Sequence, residues 1–202
     1  RGHCDRFTHF LEDLEMALEE VPKGAPIFLL GHSHGGLVSL DYVISRKPGI
    51  AGLVLSNPYL GLAMKVPAPK LFAARIAGEF LPTAAVPSGV DANGLSHDPE
   101  VVARYERDPL VFSTATTGWF LAVEQAQDRV KAYRTIDLPL LYLFSDSDPI
   151  ASPHDNRTLS DQLNSPDKTV VVRRGEFHEI LNEVNKEQTY ESITQWIQAR
   201  LS

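Results

Sequence analysis

The chain has 202 residues, 43% of them hydrophobic and 22% charged, which suits one globular domain, or one domain with an excursion, and excludes disorder, collagen and coiled coil. Lys and Arg number 19 against 26 Asp and Glu, a net charge of −7, which argues against non-specific binding to nucleic acid or to an anionic membrane. No apolar run is long enough to span a bilayer, and Cys4, the single cysteine, cannot form an internal disulfide.

Over residues 7–21, Phe7, Phe10, Leu11, Leu14, Leu18 and Val21 recur at helical spacing opposite Glu12, Asp13, Glu15 and Glu19, which predicts an amphipathic helix ended by Pro22 and Gly24. Ile27–Leu30 reads as a short, fully buried strand, and the segment after Gly36 as a buried helix stopped by Pro48 and Gly49. Ala51–Ser56 is a second buried strand, so the chain opens with the alternation of a parallel α/β sheet. Residues 57–135 break that rhythm. Prolines 58, 67, 69, 82 and 87 chop the first half, no strand is expected, and helices are predicted at Asp98–Arg107 and Thr117–Tyr133. Leu138–Ser145 resumes the strands, Ser152-Pro153 caps and opens a helix, and Lys168–Val172 is a last strand. A final helix over 186–201 aligns Tyr190, Ile193, Ile197 and Leu201 on one face. The predicted organisation is a core of 1–56 and 136–202 with 57–135 inserted over the sheet.

Gly31-His32-Ser33-His34-Gly35 matches G-x-S-x-G between a predicted strand and a predicted helix, the context a nucleophile elbow requires. Small flanking residues let strand and helix pass closely while the turn lifts the serine hydroxyl, and the helix N-terminus favours developing negative charge. A serine needs a base, and the base an orienting acid. In strand-end order, Asp146 and Asp148 follow the third strand and His178 follows the last. Asp148 is preferred because it lies in the loop proper before Pro149-Ile150, with Asp146 bracing the turn. His34 would lend its backbone N–H to an oxyanion hole, its side chain free to vary. His97 and His154 lack such placement and are read as solvated. His32 and His34 form H-x-H without further ligands nearby in sequence, so no metal and no cofactor are expected. Asp146-Ser-Asp148 also resembles the D-x-D of Mg-dependent phosphatases, but it comes late in the chain and lacks the following Gly or Thr.

Taken together these residues resemble the α/β-hydrolase superfamily, and within it the monoacylglycerol lipase and lysophospholipase branch. The resemblance rests on Arg1-Gly2 before an acidic helix, Gly-His-Ser-x-Gly-Gly at 31–36, Lys65-Val-Pro-Ala-Pro-Lys70, Asp108-Pro-Leu-Val111, Ser165-Pro-Asp-Lys-Thr169 and His178-Glu-Ile-Leu-Asn-Glu183. It implies Asp148 as the acid, 57–135 as a cap, and hydrolysis of monoacylglycerol esters. Two departures stand out. The position after the serine is often Met in this branch and is His34 here, a bulky polar ring near the acyl site. The branch also has an upstream half-sheet whose His-Gly loop gives a second oxyanion N–H, whereas about four strands are found here and the chain starts at Arg1. The expectation is the carboxyl-terminal part of a larger hydrolase, with that upstream half as a partner and an open parallel edge near Ile27.

The expected chemistry is acyl transfer through Ser33, Asp148 and His178 on a small ester or lipid substrate. Leu62, Phe72 and Ile150 are taken as substrate contacts within an apolar cap, and membrane contact is at most transient because no strongly basic amphipathic face is seen. The competing expectation is a truncated or degenerate hydrolase fold that serves as a non-catalytic binding or assembly module.

Overall fold

The computed structural model describes residues 2–64 and 66–201; Arg1 and Lys65, which begin two of the stretches that carry the resemblance, lie outside the described residues. In chain order the elements are α1 (Thr8–Glu19), β1 (Phe28–His32), α2 (Ser33–Arg46), β2 (Gly52–Ser56), α3 (Ala68–Phe80), β3 (Ala85–Pro87), a 3-10 turn at Ala92–Gly94, α4 (Pro99–Arg107), β4 (Thr114–Thr116), α5 (Thr117–Ala132), β5 (Leu140–Ser145), α6 (Pro153–Gln162), β6 (Lys168–Arg173) and α7 (Lys186–Gln198).

Four strands pair in parallel in the order β1-β2-β5-β6, with Phe28 opposite Gly52, Leu53 opposite Leu140 and Leu140 opposite Lys168. The period of two along the central strands divides the core. Leu53, Leu55, Leu140, Tyr142 and Phe144 face a large cluster that includes Leu11, Leu37, Leu40 and Ala126. Val54, Leu141 and Leu143 face the other side, against Ile180, Ile193 and Trp196. Both faces of β2 and β5 are therefore buried, which explains why they read as continuous apolar runs. Alternating strand and helix around this parallel sheet makes an α/β fold, the class the sequence implied.

The first strand lies at the sheet edge, as expected near Ile27, but it runs on through Gly31 and His32 and leaves Leu30 44% exposed instead of fully buried. In the final helix Ile193 is buried and Ile197 packs beside it as expected, but Thr189 and Trp196 complete the buried stripe, Tyr190 faces solvent, and Leu201 lies exposed beyond the helix end. Trp196 wins the inward position because it packs edge-on against Phe28.

Within 57–135 the helix α3 falls where prolines were read as breakers. Pro67 is its N-cap and Pro69 lies in its first turn, where a missing N–H costs no intrahelical bond. Two three-residue strands, β3 and β4, also pair there, Val86 opposite Ala115. The segment is bound to α2 by Arg129, whose guanidinium grips the fully buried Asp41 carboxylate through Nη2 at 2.6 Å and Nε at 3.1 Å. Ser152 caps α6, accepting the Asp155 N–H at 3.1 Å. Among the described residues no helix is long and apolar enough to cross a membrane.

Candidate active site

Three chain segments meet at the carboxyl ends of the parallel strands. Ser33 stands between β1 and α2 in the left-handed region, at φ 51°, a conformation that costs a non-glycine residue about 1–2 kcal/mol and lifts its side chain out of the turn. The turn is held by close backbone approaches. A Cβ on Gly31 would meet the Gly35 carbonyl and Ser39 Oγ at 2.5 Å, and one on Gly36 would meet Pro58 at 2.9 Å. At Gly35 it would meet nothing within 4 Å, so the second crowded position is Gly36 and not Gly35 as the motif suggested.

His178 follows β6. Its Nε2 lies 2.7 Å from Ser33 Oγ and its Nδ1 lies 2.7 Å from Asp148 Oδ2. Asp148 and His178 are each about 3% exposed. Asp148 turns its other oxygen back on its own loop, accepting the N–H groups of Ile150 at 2.8 Å and Ala151 at 3.0 Å. The carboxylate can only accept, so Nδ1 carries the ring proton and Nε2 is left to accept from the serine hydroxyl. Asp146 points elsewhere: it accepts the Gly175 N–H at 2.9 Å, and that bond holds its carboxyl below the usual range.

The backbone of the His178 loop is fastened by groups that sequence reasoning missed. Asn57, fully buried with φ 41°, donates to the His178 carbonyl at 2.6 Å and accepts the Ser145 N–H at 2.7 Å, which ties the end of β5 to the loop. The Ser145 hydroxyl donates to the Glu176 carbonyl. Glu183, also fully buried, accepts from the Phe177 N–H at 2.8 Å. His97 is not simply solvated: Nδ1 lies 2.8 Å from Glu183 Oε1, and its ring stacks on Phe177 with centroids 3.8 Å apart. The adjoining carbonyls of Gly94 and Leu95 accept the N–H groups of His178 and Glu179. A signal for these contacts existed only as polar residues next to strand ends, Asn57 after Ser56 above all.

The two histidines beside Ser33 diverge and share no ligand position. His34 turns into a box of Phe7, Phe10 and Trp119, ring centroids 4.8–5.7 Å away, and burial there pushes its imidazole down to about 4. Its Nε2 is buried without a hydrogen-bond partner among the described residues, so this side chain is packed and not free. His32 faces Ser56 and Glu179 instead, with Nδ1 3.0 Å from Ser56 Oγ and Nε2 3.2 Å from Glu179 Oε1, within ion-pair range but off the hydrogen-bond line. Burial opposes ionisation of Glu179, but the His32 ring, the Asn182 amide and His178 outweigh it and hold its carboxyl down at about 2.

Tyr59, whose N–H donates to the Ser33 carbonyl at 2.9 Å, opens onto a cavity of about 210 Å³ lined also by Leu62, Val66, Leu71, Phe120 and Gln127. Leu62 bridges to Ala151 and its neighbour Ala63 bonds to the Ile150 carbonyl, so Leu62 and Ile150 come together beside Asp148. Phe72 is 65% exposed on α3 and does not line this cavity.

A family model described as Hydrolase_4, serine aminopeptidase S33, matches residues 1–185. The chain is 29% identical over 208 residues to the monoacylglycerol lipase of Mycolicibacterium smegmatis, covering 100% of this chain and 73% of that one. It is 29% identical to an abhydrolase domain-containing protein of Dictyostelium discoideum, of which it spans only 22%. A crystal structure of Paleococcus ferrophilus monoacylglycerol lipase superposes with a TM-score of 0.90 at 30% identity, covering 99% of this chain and 77% of that chain.

Proposed function

The chain belongs to the Hydrolase_4 family, in its monoacylglycerol-lipase-like part, and from that premise we propose that it hydrolyses carboxylic esters, monoacylglycerols above all, with Ser33 as nucleophile. The observation that carries the reading is the pair of 2.7 Å contacts, Ser33 Oγ to His178 Nε2 and His178 Nδ1 to Asp148 Oδ2. Ser33 Oγ attacks the ester carbonyl as its proton passes to His178 Nε2. Asp148 holds the ring in the required tautomer and stabilises the imidazolium. The oxyanion is met by the His34 N–H in the first turn of α2, a helix start with no side-chain cap to occupy its N–H groups. His178 then protonates the leaving glycerol oxygen. Water, deprotonated by the same nitrogen, releases the fatty acid from the acyl-enzyme and restores Ser33.

Residues 57–135 act as the cap in this reading. They supply Leu62, Leu71 and Phe120 to the cavity next to Tyr59, an apolar place for the acyl chain worth about 0.8 kcal/mol per buried methylene. Phe72, Ile76 and Phe80 form an exposed apolar stripe on the outside of α3, suited to passing contact with a lipid aggregate.

Hydrolysis of a medium-chain monoacylglycerol and of a short p-nitrophenyl ester by the full-length protein tests the reading. Loss of both in Ser33→Ala is expected; retained cleavage contradicts it. The aminopeptidase in the family description gives a second arm, since preferential cleavage of an aminoacyl p-nitroanilide would overturn the ester assignment.

A further inference from the structure

The line from Ser33 through His178 to Asp148 does not account for every polar group around His178. A second line runs beside it, from Ser56 Oγ to His32 Nδ1 at 3.0 Å and from His32 Nε2 to Glu179 Oε1 at 3.2 Å. The His32 ring lies 5.0 Å from the His178 ring. Asn182 Nδ2 donates to the second Glu179 oxygen at 2.9 Å, and the Glu179 N–H is fixed on the Leu95 carbonyl at 2.7 Å. Like the first line, this one reads serine, histidine, carboxylate. Its serine is fully buried, however, so no substrate reaches that hydroxyl and it is no second nucleophile.

Ser56 on Nδ1 and the Glu179 carboxylate beside Nε2 hold the His32 ring between the end of β1 and the His178 loop, and Glu179 contributes a negative charge there.

We propose that Glu179 is a positioning residue: held by His32 and Asn182, its carboxylate stands beside His178 as a second anion after Asp148 and favours the imidazolium formed when His178 takes the Ser33 proton. This rests on the reading of Ser33 and His178 given above. Asp148 on Nδ1, Ser33 on Nε2 and the His32 ring from the β1 end face His178, and Glu179, the next residue in the chain, is held against His32 and Asn182. Tyr105 of α4 senses Glu179, and burial followed by that charge raises its hydroxyl, which stays neutral. Glu183 is engaged with the Phe177 N–H and His97. Asp148 and Glu179 are thus the two anions set to act on the ring.

Ester hydrolysis followed against pH in the full-length protein tests this. Glu179→Gln is expected to lower kcat about three-fold with KM nearly unchanged, and to move the acid limb of kcat/KM to lower pH by about half a unit. Glu179→Asp restores part of both. His32→Asn, which keeps a contact to Ser56 and releases Glu179, shifts the acid limb in the same direction by an independent route. A wild-type kcat and acid limb in folded Glu179→Gln, or an unmoved acid limb in His32→Asn, overturns the proposal while an inactive Ser33→Ala leaves the esterase reading standing. A raised KM with unchanged kcat in Glu179→Gln also overturns it. Activity retained in Ser33→Ala removes both.

Discussion

The His97 imidazole of the 57–135 segment and the fully buried Glu183 carboxylate meet at 2.8 Å, and through them the segment grips the loop that carries His178. Glu183→Gln puts an amide N–H₂ where two donors now converge. We expect a loss of about 2–3 kcal/mol in stability, read from denaturant unfolding. We also expect kcat to fall about ten-fold with little change in KM, because the loop loosens around a ring that must stay within about 0.5 Å of its working position. Equal kcat in the folded variant would deny the loop this role.

Asp148 and Asp146 are two residues apart and should behave differently. Asp148→Asn keeps an oxygen for the Ile150 and Ala151 N–H groups yet removes the anion from His178, so kcat should drop by about 10⁴. Asp146→Asn retains an acceptor for Gly175 and should stay within a few-fold of wild type. Steady-state kinetics on the two variants decide the assignment, and the reverse ranking would contradict it.

His34 gives the fold a sensitivity to mild acid. Its imidazole titrates near 6.5 in the unfolded chain and is pushed down by burial to about 4 in the folded one. On acidification the unfolded state takes up the proton first. The stability it contributes is therefore complete above about pH 6.5 and is lost as pH falls towards 4, up to about 3 kcal/mol. His34→Met should flatten the melting temperature over that window and raise stability by about 1 kcal/mol, since it removes the unpartnered Nε2. Activity should persist, because the N–H of residue 34 belongs to the backbone. The Glu179 carboxyl, held at about 2 against 4.5 in the unfolded chain, begins to lose its contribution only below about pH 4.5, so the span from 6.5 to 4.5 reports His34.

Leu62 lines the cavity and is fixed by its bridge to Ala151, so a larger side chain there shortens the space for an acyl chain. Leu62→Phe should depress kcat/KM for long-chain monoacylglycerols by about ten-fold relative to short-chain esters, the equivalent of about two methylenes denied burial. A parallel loss at every chain length would remove the cavity from the substrate path. Phe72→Ala, on the outer face of α3, should leave the chain-length profile of soluble esters unchanged.

Legibility in the sequence followed the range of the forces involved. Chain order plus strand ends was enough to single out Ser33, Asp148 and His178, because parallel strands bring their carboxyl ends to one edge of a sheet. The fully buried strands β2 and β5 announced themselves as apolar runs. By contrast β1 looked central from its composition, yet its exposure depends on what lies beside it. The helix α3 was hidden because a proline reads as a breaker unless it is known to sit in a first turn. The inward face of α7 was misjudged because Phe28, far away in sequence, decides where Trp196 points. Asn57, Glu183 and the His32–Glu179 pair were out of reach, since a buried polar group is explained by partners whose positions only the folded chain supplies.

The most direct test is labelling with a fluorophosphonate probe followed by peptide mapping, which reads activation of one hydroxyl without assuming a substrate. The account predicts stoichiometric phosphonylation of Ser33, lost in Ser33→Ala and slowed by orders of magnitude in His178→Ala. A folded protein that leaves the probe unreacted, or that carries the adduct on another serine, would contradict it.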